Sequence, residues 1–334
     1  MREGIQDMTM PVPLGLTPYI SPATLTQAST GVDYSSIPAT PNFDPQANNS
    51  ELWNICQRAT AMADQYCNQV LRATLDTEVM RGPDYRVTVG PQAGGAYPTP
   101  YWGNAGSNAR MIMSRWPVLA VNGIKVSPNN FPRNWVTVPA NNYEPELPPY
   151  GIFNSVAPGD DAYGGQAIIM GAGYVGWNYG RNGYVLQVSY TNGWPHTSLT
   201  TVAPAGAETI SVADTTGWAV SNYEDTVTGA TGVFKDGGQQ EAGSVVSAST
   251  TSGPGTLTLS SPLQFTHQGG VVFSTLPGAI EQACILFGAG QALVRGATTT
   301  TIHAIGGHAQ SSGADFSELN LEGEILLHPF RRSV

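Results

Sequence analysis

The sequence predicts an α+β protein: a small helical-bundle body with an extended N-terminal arm, β-hairpins and an inserted small all-β module. Three observations predict it. Two segments, NNSELWNICQRATAMADQYCNQVLRA and LPGAIEQACILFGAGQALVRG, repeat apolar residues at helical spacing. Between them lies a low-charge stretch that breaks into short β-type runs separated by Gly, Pro and Asp. Ahead of both runs a proline-rich segment with few repeated apolar positions, which alone could not bury enough surface to offset its ordering entropy.

Four regions follow in chain order. Residues 1–47 form the arm, held either by its own body or by neighbouring subunits. Residues 48–202 form the first part of the body. Its first helix takes Ser50 as N-cap and turns Leu52, Ile55, Ala59, Met62, Tyr66 and Val70 inward. In ARMIMSRWPVLAVNGIKVSP, Asn122-Gly123 suits the positive φ angles of a type I′ turn and predicts a hairpin there. A Pro, Gly and Asn-rich excursion from about 127 to 182 ends at YVLQVSY, where Tyr184, Leu186, Val188 and Tyr190 alternate onto one strand face. YTNGWPHTSL is an exit turn.

Residues 203–275 form the inserted module, with strands in ETISVADTTGW, SVVSAS, TLTLSSPLQF and VVFSTL. Residues 276–334 return to the body. The helix within Leu276–Gly296 has one apolar face of Ile280, Ala283, Cys284, Phe287 and Val294, and a second of Ala279, Leu286 and Leu293. A helix so apolar needs partners on several sides. Gly288 and Gly290 each cost it about 1 kcal/mol relative to Ala, which a close helix approach would offset. After a connector, DFSELNLEGEILLHPFRRSV predicts a short helix to about Leu327, stopped at His328 by Pro329.

Composition narrows the function. Charged residues are 11% of the chain, and 24 acidic against 14 basic groups leave a formal net charge of −10. Tight nonspecific binding to phosphate backbones is disfavoured, while a surface that DNA slides past remains compatible. No apolar run approaches the roughly 20 residues that span a bilayer, and the N-terminus lacks the apolar region of a signal peptide, so no membrane partner is expected. Cys56 and Cys67 sit about 16 Å apart along one helix and cannot bond. With Cys284 also in a helix, three reduced core thiols are expected.

Catalytic and cofactor motifs are wanting. His303 and His308 have no accompanying cysteine or carboxylate pattern for zinc, and Asp160-Asp161 lacks the ligand spacing of an EF-hand. GPQAGGAYPTPYWGNAG has no GK[ST] ending, and no G-x-S-x-G elbow occurs. The seven tryptophans are scattered rather than interleaved with basic residues. The expectation is a protein that is not an enzyme and carries no cofactor or metal.

The order of several blocks resembles the head-to-tail adaptors of tailed phages, also called head completion or connector proteins. The blocks are TGVDYSSIP, ELWNICQRATAMADQYCNQVL followed by DTE, SRWPVLAVNGIKVSP, VSYTNGWPHTSL, LPGAIEQACILFGAGQALVRGAT and EILLHPFRR. The resemblance implies a virion neck protein, assembled in the host cytoplasm, that forms a ring of about twelve copies closed by head-to-tail contacts. The ring would join the portal to a downstream neck or tail protein and let double-stranded DNA pass. It also implies portal docking by the C-terminal segment, with Leu326, Leu327, Pro329 and Phe330 as apolar anchors and Arg331 and Arg332 as hydrogen-bond donors. Deleting residues 326–334 should then weaken portal attachment and leave the subunit folded. Ile280, Phe287, Gly288, Gly290 and Leu293 would serve subunit packing. Two alternatives stand beside this reading: another neck component such as a stopper or tail-completion protein, and a carbohydrate-binding module built on the insert with Trp218 and Tyr223.

Overall fold

The computed structural model describes residues 17–37, 51–81, 109–128, 131–138, 143–146, 167–170, 184–221, 227–299, 302–303, 309–310 and 316–331. Among the described residues the α-helices are α1 (Pro22–Gln27), α2 (Glu51–Cys67), α3 (Gly278–Val294) and α4 (Phe316–Leu327). A four-stranded antiparallel sheet takes β1 (Thr74–Arg81), β2 (Val118–Pro128), β3 (Val136–Val138) and β4 (Tyr184–Asn192) in the order β1-β4-β2-β3. A six-stranded sheet takes β5 (His196–Ser198), β6 (Thr209–Val212), β7 (Thr231–Lys235), β8 (Glu241–Ala248), β9 (Gly255–Leu259) and β10 (Val272–Ser274) in the order β6-β9-β8-β7-β10-β5.

The helical-bundle body expected from the sequence is not what forms. Strand exceeds helix among the well-defined elements, and the helices make a layer beside sheets instead of a bundle. The reason is non-local pairing. β4 lies between β1 and β2 along nearly its whole length, and its partners on β1 are more than a hundred positions away in the chain, as in the Thr77–Ser189 hydroxyl pair at 3.0 Å.

The six-stranded sheet curls until its edges meet. Thr200 N–H donates to the Ser211 carbonyl at 3.0 Å and Ala213 N–H to that of Ser198 at 2.9 Å, so β5 and β6 satisfy each other and no long free edge remains. The interior holds a stack of four rings. Trp218 lies on Phe273 with centroids 4.1 Å apart, Phe273 on Phe234 at 4.2 Å, and Phe234 on His267 at 4.6 Å. Gly232 makes room for it: a Cβ there would come within 2.6 Å of Trp218. The β module thus has its own core, and its sheet begins at His196, inside the expected exit turn and ahead of the expected boundary at 203.

The helical layer is built around α3, which is buried along most of its length. Three elements cover its sides. Gly288 faces Leu25 and Ile20 of the N-terminal segment, Gly290 faces Phe316 and Asn320 of α4, and Cys284 lies at 4.0 Å from the Ala59 carbonyl of α2. Both glycines therefore serve close approach within one chain. Gly323 of α4 is the tightest of these positions, since a Cβ there would lie 2.5 Å from the Phe287 ring. Gly323→Ala is expected to destabilise the protein by about 1–3 kcal/mol through overpacking, although Ala adds about 1 kcal/mol of helix propensity. A urea denaturation midpoint at or above wild type would contradict this packing.

Two further expectations are corrected. Asn122-Gly123 is not a turn: β2 runs straight through it, with a register shift between Val121 and Gly123, and the Asn122 amide donates to Thr191 Oγ1 at 3.0 Å. A positive φ occurs instead just past the partner strand β4, at Gly193, where a Cβ would collide with the Arg72 carbonyl. Of the expected arm, residues 17–37 are held by the chain's own body, one of the two expected holders, with Tyr19, Ile20 and Leu25 buried and Val32–Asp33 paired to Thr298–Thr299. In α2, the buried stripe is Ile55, Cys56, Ala59, Ala63 and Cys67, turned from the expected one, while Leu52, Met62 and Tyr66 are only partly buried. Ser50 lies outside the described residues. All three cysteines are free and buried, and the C-terminal helix ends at Leu327 as expected, followed by a short 3-10 turn over His328–Phe330.

Candidate functional site

Among the described residues, chemistry-bearing side chains gather in three places. The first joins the N-terminal segment to the body. Tyr19 donates its hydroxyl to Asp64 Oδ1 at 2.6 Å and accepts the N–H groups of Leu71 and Arg72, while the Tyr19 N–H donates to Thr60 Oγ1. Burial pushes the Asp64 carboxyl up, against the hydrogen bonds from Tyr19 and Leu71, and pushes the Tyr19 hydroxyl well above its ordinary range. Beside it, an open groove of about 440 Å³ runs between Pro18 and the outer face of α2, past Asn54, Gln57, Arg58, Ala61 and Asp64. Arg58 is already paired with Glu51 at 3.3 Å, and Thr60, which also lines the groove, accepts the Tyr19 N–H at its hydroxyl.

The second place is His196. Its Nε2 lies 2.9 Å from the Pro18 carbonyl, which can only accept, so Nε2 carries the proton. Nδ1, at 2.8 Å, then accepts from the Ser274 hydroxyl, whose oxygen also receives the Leu276 N–H. A serine beside a histidine suggests a nucleophile and its base, but both side chains are buried, and the far ring nitrogen is held by a backbone carbonyl instead of a carboxylate. The pair fastens the N-terminal segment to β5 and β10. Desolvation pulls the imidazole down to about 4, so the ring is neutral at pH 7.

The third is His267 in the β module, with Nδ1 at 2.9 Å from Asp236 Oδ2 and Nε2 at 2.9 Å from Glu241 Oε1. Glu241 also accepts the N–H groups of Gln264 and Phe265. Desolvation works to raise its carboxyl, yet these donors and His267 hold it below the usual range. Both ring nitrogens are occupied, which closes the site. No group of three or more potential metal ligands occurs among the described residues.

The binding residues expected from the sequence divide cleanly. Leu327 and Phe330 are buried, and Phe330 stacks on Trp116 with centroids 6.0 Å apart and meets Trp194 edge-on at 5.7 Å. Gln69 adds an amide donor to the Phe330 carbonyl at 3.2 Å. Leu326 is partly buried against the same core, and Pro329 and Arg331 are exposed, Arg331 lying 5.7 Å over the Tyr66 ring. Arg332 lies outside the described residues, as do His308, Asp160, Asp161 and Tyr223. For subunit packing, Ile280, Phe287, Gly288 and Gly290 are spent inside the chain, and Leu293 is partly buried; Val294, expected inward, is 62% exposed. Trp218 is fully buried in the ring stack and is not a stacking platform for sugars.

The sequence-based expectation missed the outer face of α4. Leu321 and Ile325, one turn apart, are 59% and 63% exposed, flanked by exposed Glu318, Glu322 and Glu324. Their signal was present as helix phase: with Leu319, Gly323 and Leu327 inward, positions 321 and 325 fall outward. No protein-family model, curated protein or solved structure matches the chain. No helix among the described residues is long and apolar enough to cross a membrane.

Proposed function

We propose that the chain is a noncatalytic structural protein of a tailed-phage neck, an adaptor that assembles into a ring of about twelve copies between portal and tail. One observation carries the proposal beyond the order of the sequence blocks. Blocks that are far apart in the chain meet as one packed unit: Trp116 of SRWP, Trp194 of NGWP and Phe330 of LLHPF form one aromatic cluster, with Trp116 and Trp194 at 5.3 Å. The helices of two further blocks, α2 and α3, pack beside them in the same core. The β module has a core of its own and joins this unit through the Pro18–His196–Ser274 hydrogen bonds and the Lys235–Glu281 ion pair.

In this role the protein is a mechanical link in the virion neck, assembled in the host cytoplasm. Its partners are its own copies, the portal, a downstream neck or tail protein, and passing DNA that an acidic chain does not retain. Arg331 stands exposed at the C-terminal end and supplies directional donors to a partner. Native mass spectrometry of the protein with portal rings from the same source tests the reading: a discrete complex is expected, and a monomer indifferent to the portal would refute it.

A further inference from the structure

We infer that the chain docks through an outward row made by Leu321 and Ile325 of α4 and Pro329 of the turn that follows it, and that the partner offers a groove with an apolar floor and a rim of lysine or arginine. The row shares only Pro329 with the terminal residues singled out by sequence, because Leu327 and Phe330 are consumed by the core. Leu321 and Ile325 follow each other at i and i+4, and Pro329 continues the line at the next turn, all exposed. This is the spacing by which an amphipathic helix lies in an apolar groove.

The carboxylates set the partner's charge. On the helix projection, Glu318 and Glu322 fall on one side of the row and Glu324 on the other. None forms an ion pair among the described residues, and α4 has no basic residue in its last turn. Glu324 lies in that last turn, where the helix dipole disfavours a carboxylate, so helix stability does not explain it. A second copy of a chain with a net charge of −10 presents mostly like charge to three glutamates, which favours a different, basic-rimmed protein. The adaptor reading enters only in naming that protein as the portal.

The test is a titration of portal rings with wild type, Leu321→Ala/Ile325→Ala, and Glu318→Gln/Glu322→Gln/Glu324→Gln, each checked for its circular dichroism and run at low and high salt. The alanine variant is expected to bind about ten-fold more weakly or worse, as loss of central anchors does. The glutamine variant is expected to bind more weakly at low salt and to lose the salt dependence seen in wild type. Portal affinity unchanged in both variants would overturn the inference while the adaptor reading stands. So would an alanine variant that loses self-association but keeps its portal affinity, since the row would then be a contact between copies. Wild type that ignores the portal removes the adaptor reading, and the portal-docking inference with it.

Discussion

Deleting residues 326–334 will unfold much of the helical layer instead of trimming a detachable tail. The deletion removes Leu327, which is fully buried, and Phe330, which completes the aromatic cluster with Trp116 and Trp194. It also strands Gln69, whose amide donates to the Phe330 carbonyl. Truncating a buried Leu to Ala costs about 2–5 kcal/mol and a buried Phe about 3–5 kcal/mol. Together these approach the whole stability of an ordinary domain, about 5–15 kcal/mol. The single substitution Phe330→Ala is the cleaner experiment, with an expected loss of about 3–5 kcal/mol by urea denaturation. A deletion variant as stable as wild type would show that the C-terminal turn is not part of the core. The consequence for function is direct: loss of portal binding in such a deletion would report unfolding, so surface substitutions on α4 are the informative ones.

Acidification will loosen the joint at His196 before general acid unfolding begins. The folded imidazole titrates at about 4, pulled down by burial and, to a lesser degree, by Arg72, while its hydrogen bond to Pro18 and the charge of Asp214 oppose the shift. An unfolded histidine titrates near 6.5. Between those values the unfolded chain binds the extra proton, so the stability is fully present above pH 6.5 and is lost as pH falls towards 4. The whole interval corresponds to about 3 kcal/mol, of which about 2 kcal/mol is lost by pH 5. Protonation would place a second N–H against the Ser274 oxygen that already receives Leu276, with the new charge buried. Unfolding free energies at pH 7 and pH 5 for wild type and His196→Gln check this. The other four histidines are common to both proteins, so a smaller pH effect in the variant isolates His196. Equal pH slopes would contradict the assignment.

What was legible in the sequence is what is locally encoded. The apolar repeat of α3, the stop of α4 before Pro329, and the short strands of the inserted module each depend on neighbours a few residues away. What was missed depends on distant partners. Tyr19, Ile20 and Leu25 show no periodicity, because they divide between two surfaces: Tyr19 meets Asp64 and Thr60 of α2, while Ile20 and Leu25 meet α3 at Gly288. Asn122-Gly123 has the composition of a hairpin turn, but pairing with β4 on one side and β3 on the other keeps β2 extended. Asp76 and Glu78 of the DTE run are a further case, since nothing local announces their partners. Glu78 accepts from Ser114 and Tyr190, and Asp76 from Arg115 and Asn192, tying β1 to the loop before β2 and to β4. The C-terminal residues were read as apolar without being given a helix phase, which alone separates Leu327, inward, from Ile325, outward.

The most direct measurement is native mass spectrometry of the purified full chain, alone and mixed with portal rings from the same source. The account predicts a discrete complex in which one portal ring carries about twelve copies, the closed ring of a head-to-tail contact. A chain that stays monomeric and leaves the portal mass unchanged would contradict it.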